Sequence, residues 1–404
     1  MLNTDQLKKI YGNEQVLLVL FSRLYFSPKQ KTEVEEFIAK EQIDWNLLLK
    51  ITIAHSIRSF IFYVVNKYEL RVETSFEEQL KKRYQGNLLK NFRQIKSAIT
   101  LISDFKNKGI VLIPYKGAIF SQSYYDDIAI RESSDIDFLI PKEKLSEIED
   151  HFIAEGYRPL TAVPRAYLRY YRKFFKDIVY QKQVRGAASI EMHWRLMERF
   201  SGNYPAYPFF APHLQPYQIG GLGIEKLSPT YDFLAVASNH FVKDMGIKFK
   251  YLIDMACLIK KEQSTLDSEV IFSCAKRFGF EKKMNVGLEL VKQFLGVELI
   301  NKQEEVLSAE ILKTPLQYPI HLPRLYINEP KFIRRSLQLQ DNFLRRIQFI
   351  SRCSLYVFLP TYADIIKFKL PVYYLPLFIV MRPFRLCYQM IRPAQDNSKK
   401  IDNC

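Results

Sequence analysis

Glycine is scarce in this chain, at 14 of 404 residues. That argues against an all-β protein, whose tight turns draw on glycine's freedom at positive φ. Cysteine is sparse too. Cys257, Cys274, Cys353, Cys387 and Cys404 are odd in number, and no two have CxxC spacing. This argues against a disulfide framework and a zinc ribbon, and a cytoplasmic location is expected. No stretch reaches the ~18 to 20 apolar residues of a membrane-spanning helix. The longest, residues 370–381 (LPVYYLPLFIVM), is interrupted by Pro371 and Pro376. Residues 15–26 (QVLLVLFSRLYF) hold a short apolar run, but charged and polar residues precede it and no small-residue cleavage site follows. Neither a secretory signal nor a transmembrane segment is therefore expected. Acidic residues are in deficit, 43 against 59 Lys and Arg, for a net charge of +16. That balance favours anionic partners: nucleotides, nucleic acid or an acidic membrane surface.

What is present is apolar and aromatic, at 48% and 14% of residues, which is enough for a buried core. Residues 1–108 read as a helical region, with a long amphipathic stretch over 77–108 that ends at Gly109. Residues 110–114 (IVLIP) suggest a buried strand, and 118–125 a short helix. Residues 135–140 (DIDFLI), 176–181 (KDIVYQ) and 188–194 (ASIEMHW) suggest further strands, with a helix over 142–155. Alternating strands and helices mark 109–200 as an α/β core. Residues 201–314 read as a linker, rich in Pro, Gly and Tyr to about residue 223, followed by helices. Residues 315–404 form a basic, aromatic helical region at the C-terminus.

The chemistry centres on Asp135-Ile-Asp137. Residues i and i+2 of a strand share a face, so the two carboxylates converge. Their mutual repulsion is relieved by a divalent cation, and Mg²⁺ or Mn²⁺ on carboxylate oxygens is suited to a nucleoside triphosphate. Glu191 lies on another expected strand and supplies a third carboxylate if the strands are neighbours, with His193 on the same face. Lys116-Gly117 precedes a helix, where glycine and free N–H groups let a phosphate approach. Lys116, Arg131, Ser133 and Ser134 are candidate phosphate contacts, although Arg131 could equally pair with Asp135. Alone, each motif is ordinary: a DxD, a Lys-Gly turn and a strand glutamate are all common on surfaces. Their order along the chain is far more specific.

That order resembles the bacterial uncharacterised nucleotidyltransferase family, of the DNA polymerase β-like nucleotidyltransferase superfamily. The resemblance runs through Lys116, Gly117, Tyr125, Asp126, Arg131, Asp135, Asp137, Gly156, Tyr157, Glu191, His193 and Trp194. It continues at Asn239-His240, at residues 252–256 (LIDMA) and at 381–386 (MRPFRL). Gly117-Ala118 stands where the wider superfamily has Gly-Gly or Gly-Ser, which removes one hydroxyl from the phosphate site. The resemblance implies an α/β (α+β) core with a mixed sheet, flanked by mainly helical regions. It also implies metal-dependent transfer of a nucleoside monophosphate from an NTP to an acceptor. Asp135, Asp137 and Glu191 would hold Mg²⁺ or Mn²⁺, and Lys116, Gly117, Arg131, Ser133 and Ser134 the nucleotide. The acceptor is left open among a small molecule, a carrier, a protein and RNA. Three rival readings stand beside it. One is a catalytically inactive nucleotide-binding protein. Another is a nucleic-acid binder, against which no helix-turn-helix, zinc-finger or RRM signature appears. The third is a peripheral membrane component, with Tyr373, Tyr374, Phe378, Phe384, Arg382 and Arg385 as an interfacial element.

Overall fold

A computed structural model describes residues 1–161, 163–184, 186–198, 202, 205–299, 305–316, 330–368 and 370–391. Cys404 and the end of the basic tail lie outside them.

The N-terminal region forms helices α1 (Thr4–Lys8), α2 (Asn13–Phe26), α3 (Lys31–Lys40), α4 (Trp45–His55), α5 (Arg58–Lys67) and α6 (Thr74–Lys106). Caps fix where two of them start. Asn3 and Gln6 close a capping box on α1, and Asp44 accepts from the Leu47 amide at 2.9 Å on α4. Helix α2 is apolar around most of its circumference and buried from Val16 to Leu24, so the run over 15–26 is a core helix. Helix α6 is 33 residues long, a rod of about 50 Å at ~1.5 Å per residue.

The chain then enters a five-stranded mixed sheet. Its strands are β1 (Ile113–Pro114), β2 (Asp135–Leu139), β3 (Tyr157–Pro159), β4 (Asp177–Lys182) and β5 (Ser189–His193), in the order β1-β2-β5-β4-β3. β2 and β5 run parallel, and the other pairings are antiparallel. β1 is shorter than the apolar run over 110–114 suggests. Pro114 has no N–H to give the ladder, and a strand carrying proline belongs at the edge, where β1 lies. The parallel pair needs a crossover, which α8 (Leu145–Ala154), α9 (Leu168–Phe174) and the outer strands provide. Helix α7 (Gly117–Tyr124) lies between β1 and β2 in the chain.

The stretch read as a linker holds more structure than expected. After α10 (Tyr207–Phe210) come β6 (Leu214–Ile219) and β7 (Leu222–Leu227), a hairpin. Its two turn residues, Gly220 and Gly221, both have positive φ, at 57° and 80°. That pair is the signature of a two-residue hairpin turn. Beyond it lie α11 (Pro229–Ala237), a π-helical turn over Ser238–Lys243, α12 (Phe249–Lys261), α13 (Ser268–Phe278) and α14 (Glu281–Leu295).

Two apolar cores result. One joins the N-terminal helices to α11–α14, which lie far away in sequence. The other lies on the sheet, under α6, α8 and α9. The C-terminal helices are α15 (Ala309–Lys313), α16 (Pro330–Gln338), α17 (Phe343–Phe358), α18 (Tyr362–Phe368) and α19 (Leu375–Ile391). Ile365 of α18 and Phe378 of α19 belong to the sheet core. Tyr167 and Tyr170 pin the connecting chain by donating to the carbonyls of Leu370 at 2.6 Å and Pro360 at 2.8 Å. Among the described residues no cysteines are bridged. Among them also, no helix is long and apolar enough to cross a membrane.

Candidate active site

Asp137 is the buried centre of the acidic cluster. It lies on β2 directly opposite Glu191 of the parallel neighbour β5. His193 is two residues along β5, on the same face as Glu191. Its Nε2 lies 3.2 Å from Asp137 Oδ1 and 3.2 Å from Glu191 Oε2. Lys116, at the end of the β1–α7 turn, sets its Nζ 3.0 Å from Asp137 Oδ1. Asp137, Glu191 and His193 each offer a ligand atom, and these lie within 4.8 Å of one another. Asp135, two residues back on the same face, lines the adjoining cleft but is not in that tight group. Its Oδ2 accepts from the Ser134 hydroxyl at 2.9 Å.

The electrostatics follow from burial and neighbours. Burial works against charge on Asp137, but Lys116 and His193 hold its carboxyl well below the usual range. For Asp135 burial prevails, reinforced by Asp137 and Glu191, and its carboxyl is pushed up. Glu191 is lowered: burial opposes its charge, and the His193 contact outweighs it. Burial would strip the proton from Lys116, yet Asp137, Tyr115, Glu191 and Asp135 together raise it well above a free lysine. The cluster is thus a charged carboxylate–ammonium pair beside a carboxyl that is reluctant to ionise.

Gly117 has a steric reason to be glycine. Its φ is +70°, and a Cβ there would meet the Asp135 carbonyl oxygen at 3.1 Å. A side chain at this position would strain the backbone and push the β2 carbonyl back by a few tenths of an ångström. Gly117→Ala is expected to cost about 1–2 kcal/mol for the left-handed backbone, plus the displacement of β2. A shift in the denaturant midpoint checks this; an unchanged midpoint would mean that the approach is not tight.

The loop before β2 is tied to the helices. Asn87 and Asn91 of α6 donate to the carbonyls of Ile128, Ala129 and Arg131 at 2.6 to 3.0 Å. Glu132 is buried between Arg58 at 2.9 Å and Arg83 at 2.7 Å. Arg131 is fully engaged: it donates to both oxygens of Asp254, at 2.8 and 3.0 Å, and to the Gly117 carbonyl at 3.1 Å. It does not pair with Asp135, the simple alternative. Tyr125 and His240 complete the Asp254 site, at 2.5 and 2.8 Å. Ser133 is buried and donates to the Asp135 carbonyl at 3.0 Å.

A cavity of about 260 Å³ opens over Asp135 and Asp137. Lys116, Gly117, Arg131, Ser133 and Ser134 all line it. So do Lys90 of α6 and Lys248, Lys250 and Tyr251 at the start of α12, which sequence reasoning did not single out. Burial, aided by Arg131, lowers Lys250 to about 7. No motif marks these lysines. They reach the cleft only because the N-terminal and second-half helices fold onto the sheet. A larger open groove of about 730 Å³ lies elsewhere, between Lys282 of α14 and the α16–α17 region. Among the described residues it is lined by Lys282, Arg334, Arg346 and uncharged residues, and by no carboxylate.

No curated protein and no solved structure matches the chain. A family model described as uncharacterised nucleotidyltransferase matches residues 41–296. That span takes in the sheet, the acidic cluster, the cleft and the larger part of both apolar cores. With more than half of its length matched, the chain belongs to the uncharacterised nucleotidyltransferase family.

Proposed function

We propose that the chain transfers a nucleoside monophosphate from an NTP to an acceptor hydroxyl at the β2–β5 cleft, with a divalent cation. The observation that carries this reading is the register of Asp137 with Glu191 on adjacent parallel strands, beside a cation-lined cavity. The donor set fits a hard cation. Carboxylate oxygens converge there, and Asp137 is already charged. Asp137 and Glu191 would hold Mg²⁺ or Mn²⁺, with Asp135 joining as it ionises and His193 steering Asp137. A cation so held supplies relief of the carboxylate repulsion and draws charge from the phosphate oxygens. Lys116 binds a phosphate oxygen, exchanging part of its contact with Asp137. Ser134 and the α7 amides hold the rest of the triphosphate. Glu191, with 26% of its side chain exposed, takes the proton of the attacking hydroxyl. The acceptor oxygen bonds to the α-phosphorus, the α–β anhydride bond breaks and pyrophosphate leaves.

Lys116→Ala tests the nucleotide half of this proposal. It should weaken NTP about tenfold to a hundredfold, the range for a hydrogen bond to a charged group, and leave nucleoside binding nearly unchanged. Calorimetric titration of both ligands in Mg²⁺ reads the difference. Equal losses would make Lys116 a support of the turn. NTP binding without pyrophosphate release, whatever the acceptor, would instead favour an inactive binding protein.

A further inference from the structure

The C-terminal helices lie outside the matched region and present an apolar surface that the nucleotidyl-transfer reading does not use. On α17, Phe343, Ile347, Ile350 and Phe358 recur at spacings of four, three and eight, one stripe of the helix. All four are exposed, Phe343 by 70%. Phe349, on the opposite side, is the residue that α17 buries. On α19, Leu377, Val380, Phe384 and Tyr388 form a second exposed stripe, with Phe384 at 73%. Helix α19 buries Phe378 in the sheet core. The two helices pack against each other. Each is thus anchored on one side and apolar on its outer side.

Charge decides what could cover such a surface. Residues 330–391 contain ten Lys and Arg and two acids, Asp341 and Asp364. Neither acid is left facing out. Asp341 accepts from the amides of Glu281 and Lys282, at 3.2 and 2.9 Å. Asp364 is buried against Arg382, at 3.1 Å, and Arg385. These two arginines and Phe378 are therefore structural, which corrects the sequence expectation that they form the interfacial element. The outward cations are others: Lys331, Arg334, Arg346 and Lys367 are exposed. Exposed aromatic residues flanked by cations, with no outward acid, match the chemistry of an anionic bilayer surface.

We propose that α17 and α19 form a docking surface for an anionic membrane. The aromatic and aliphatic side chains enter the headgroup layer, and the surrounding Lys and Arg side chains meet the lipid phosphates. The helices lie on the membrane and do not cross it. This does not depend on catalysis, so it is tested without nucleotide.

The test is flotation of the full chain with phosphatidylcholine vesicles, with and without phosphatidylglycerol. Binding to the anionic vesicles is expected, weakening as salt shortens the screening length below ~10 Å. Phe343→Asp combined with Phe384→Asp should reduce partitioning at least about tenfold, through lost apolar burial and added repulsion. Arg346→Glu should reduce it about fivefold or more for each ~1 kcal/mol of charge attraction lost. Thermal melting should stay unchanged in both variants, since exposed side chains contribute little to stability. No flotation with anionic vesicles at low salt would overturn the proposal. So would flotation indifferent to the two aspartates. A concentration-dependent dimer by sedimentation that Phe384→Asp dissolves would overturn it too, by making a second copy the occupant.

Discussion

Asp137→Asn is expected to lower turnover on the order of 10³-fold, because it removes the one carboxylate that both the proposed metal site and Lys116 depend on. It should also cost stability. Lys116 Nζ lies 3.0 Å from Asp137 Oδ1, and only 12% of its side chain is exposed. Asparagine would leave that ammonium without its nearest counter-charge, at a cost of about 1–3 kcal/mol. The two effects can be separated. Adding Lys116→Met to Asp137→Asn removes the stranded charge, so the melting temperature should recover while pyrophosphate release does not. If the double variant recovered activity as well, Asp137 would be a partner for Lys116 and nothing more. Mn²⁺ titration of the single variant gives a second reading: unchanged affinity would remove Asp137 from the metal site.

Glu191→Gln should act differently. Glu191 touches His193 and faces Asp137, but its side chain is partly open to the solvent from which an acceptor must come. Glutamine preserves its volume and its contact with the imidazole and deletes its basicity. NTP binding is expected to persist while transfer slows by about 10² to 10⁴-fold, the range for a positioned base. Single-turnover measurement at saturating NTP isolates that step. A loss confined to KM would show that Glu191 binds and does not take the proton.

Much of this arrangement was legible along the chain. The alternation of Asp135, Ile136 and Asp137 fixed a shared face for the carboxylates, because strand periodicity is local. The end of the long amphipathic helix near Gly109 was legible too, because glycine at positive φ is a local stop signal. The pairing of Glu191 with Asp137 was not legible in this way. It depends on β5 inserting between β2 and β4, a choice made by the sheet as a whole. Arg131 shows another limit of local reading. Its position before the DxD suggests a phosphate contact, and it does line the cleft, but its bond to Asp254, 123 residues away, has no local signal. The cleft-lining His240 sits in that same buried node, on Asp254. The β6–β7 hairpin was missed for a simpler reason. Gly220-Gly221 is a hairpin signal in its own right, but it stands among prolines and tyrosines that suggest an irregular loop. Lys90, Lys248 and Lys250 carry no signal at all, since a lysine on a helix reads as a solvated one.

The sheet core borrows Ile365 and Phe378 from helices that follow the last matched residue by some seventy to eighty positions. The match to the family model stops at residue 296, but the folded core does not. A fragment cut there would keep every carboxylate and every lysine of the cleft. It would lose the ring of Phe378 against Tyr167, and the hydroxyls of Tyr167 and Tyr170 would lose the Leu370 and Pro360 carbonyls they reach. The sheet that carries the acidic cluster is thus closed by a later part of the same chain. Any relative that ends earlier must seal the same face with something else.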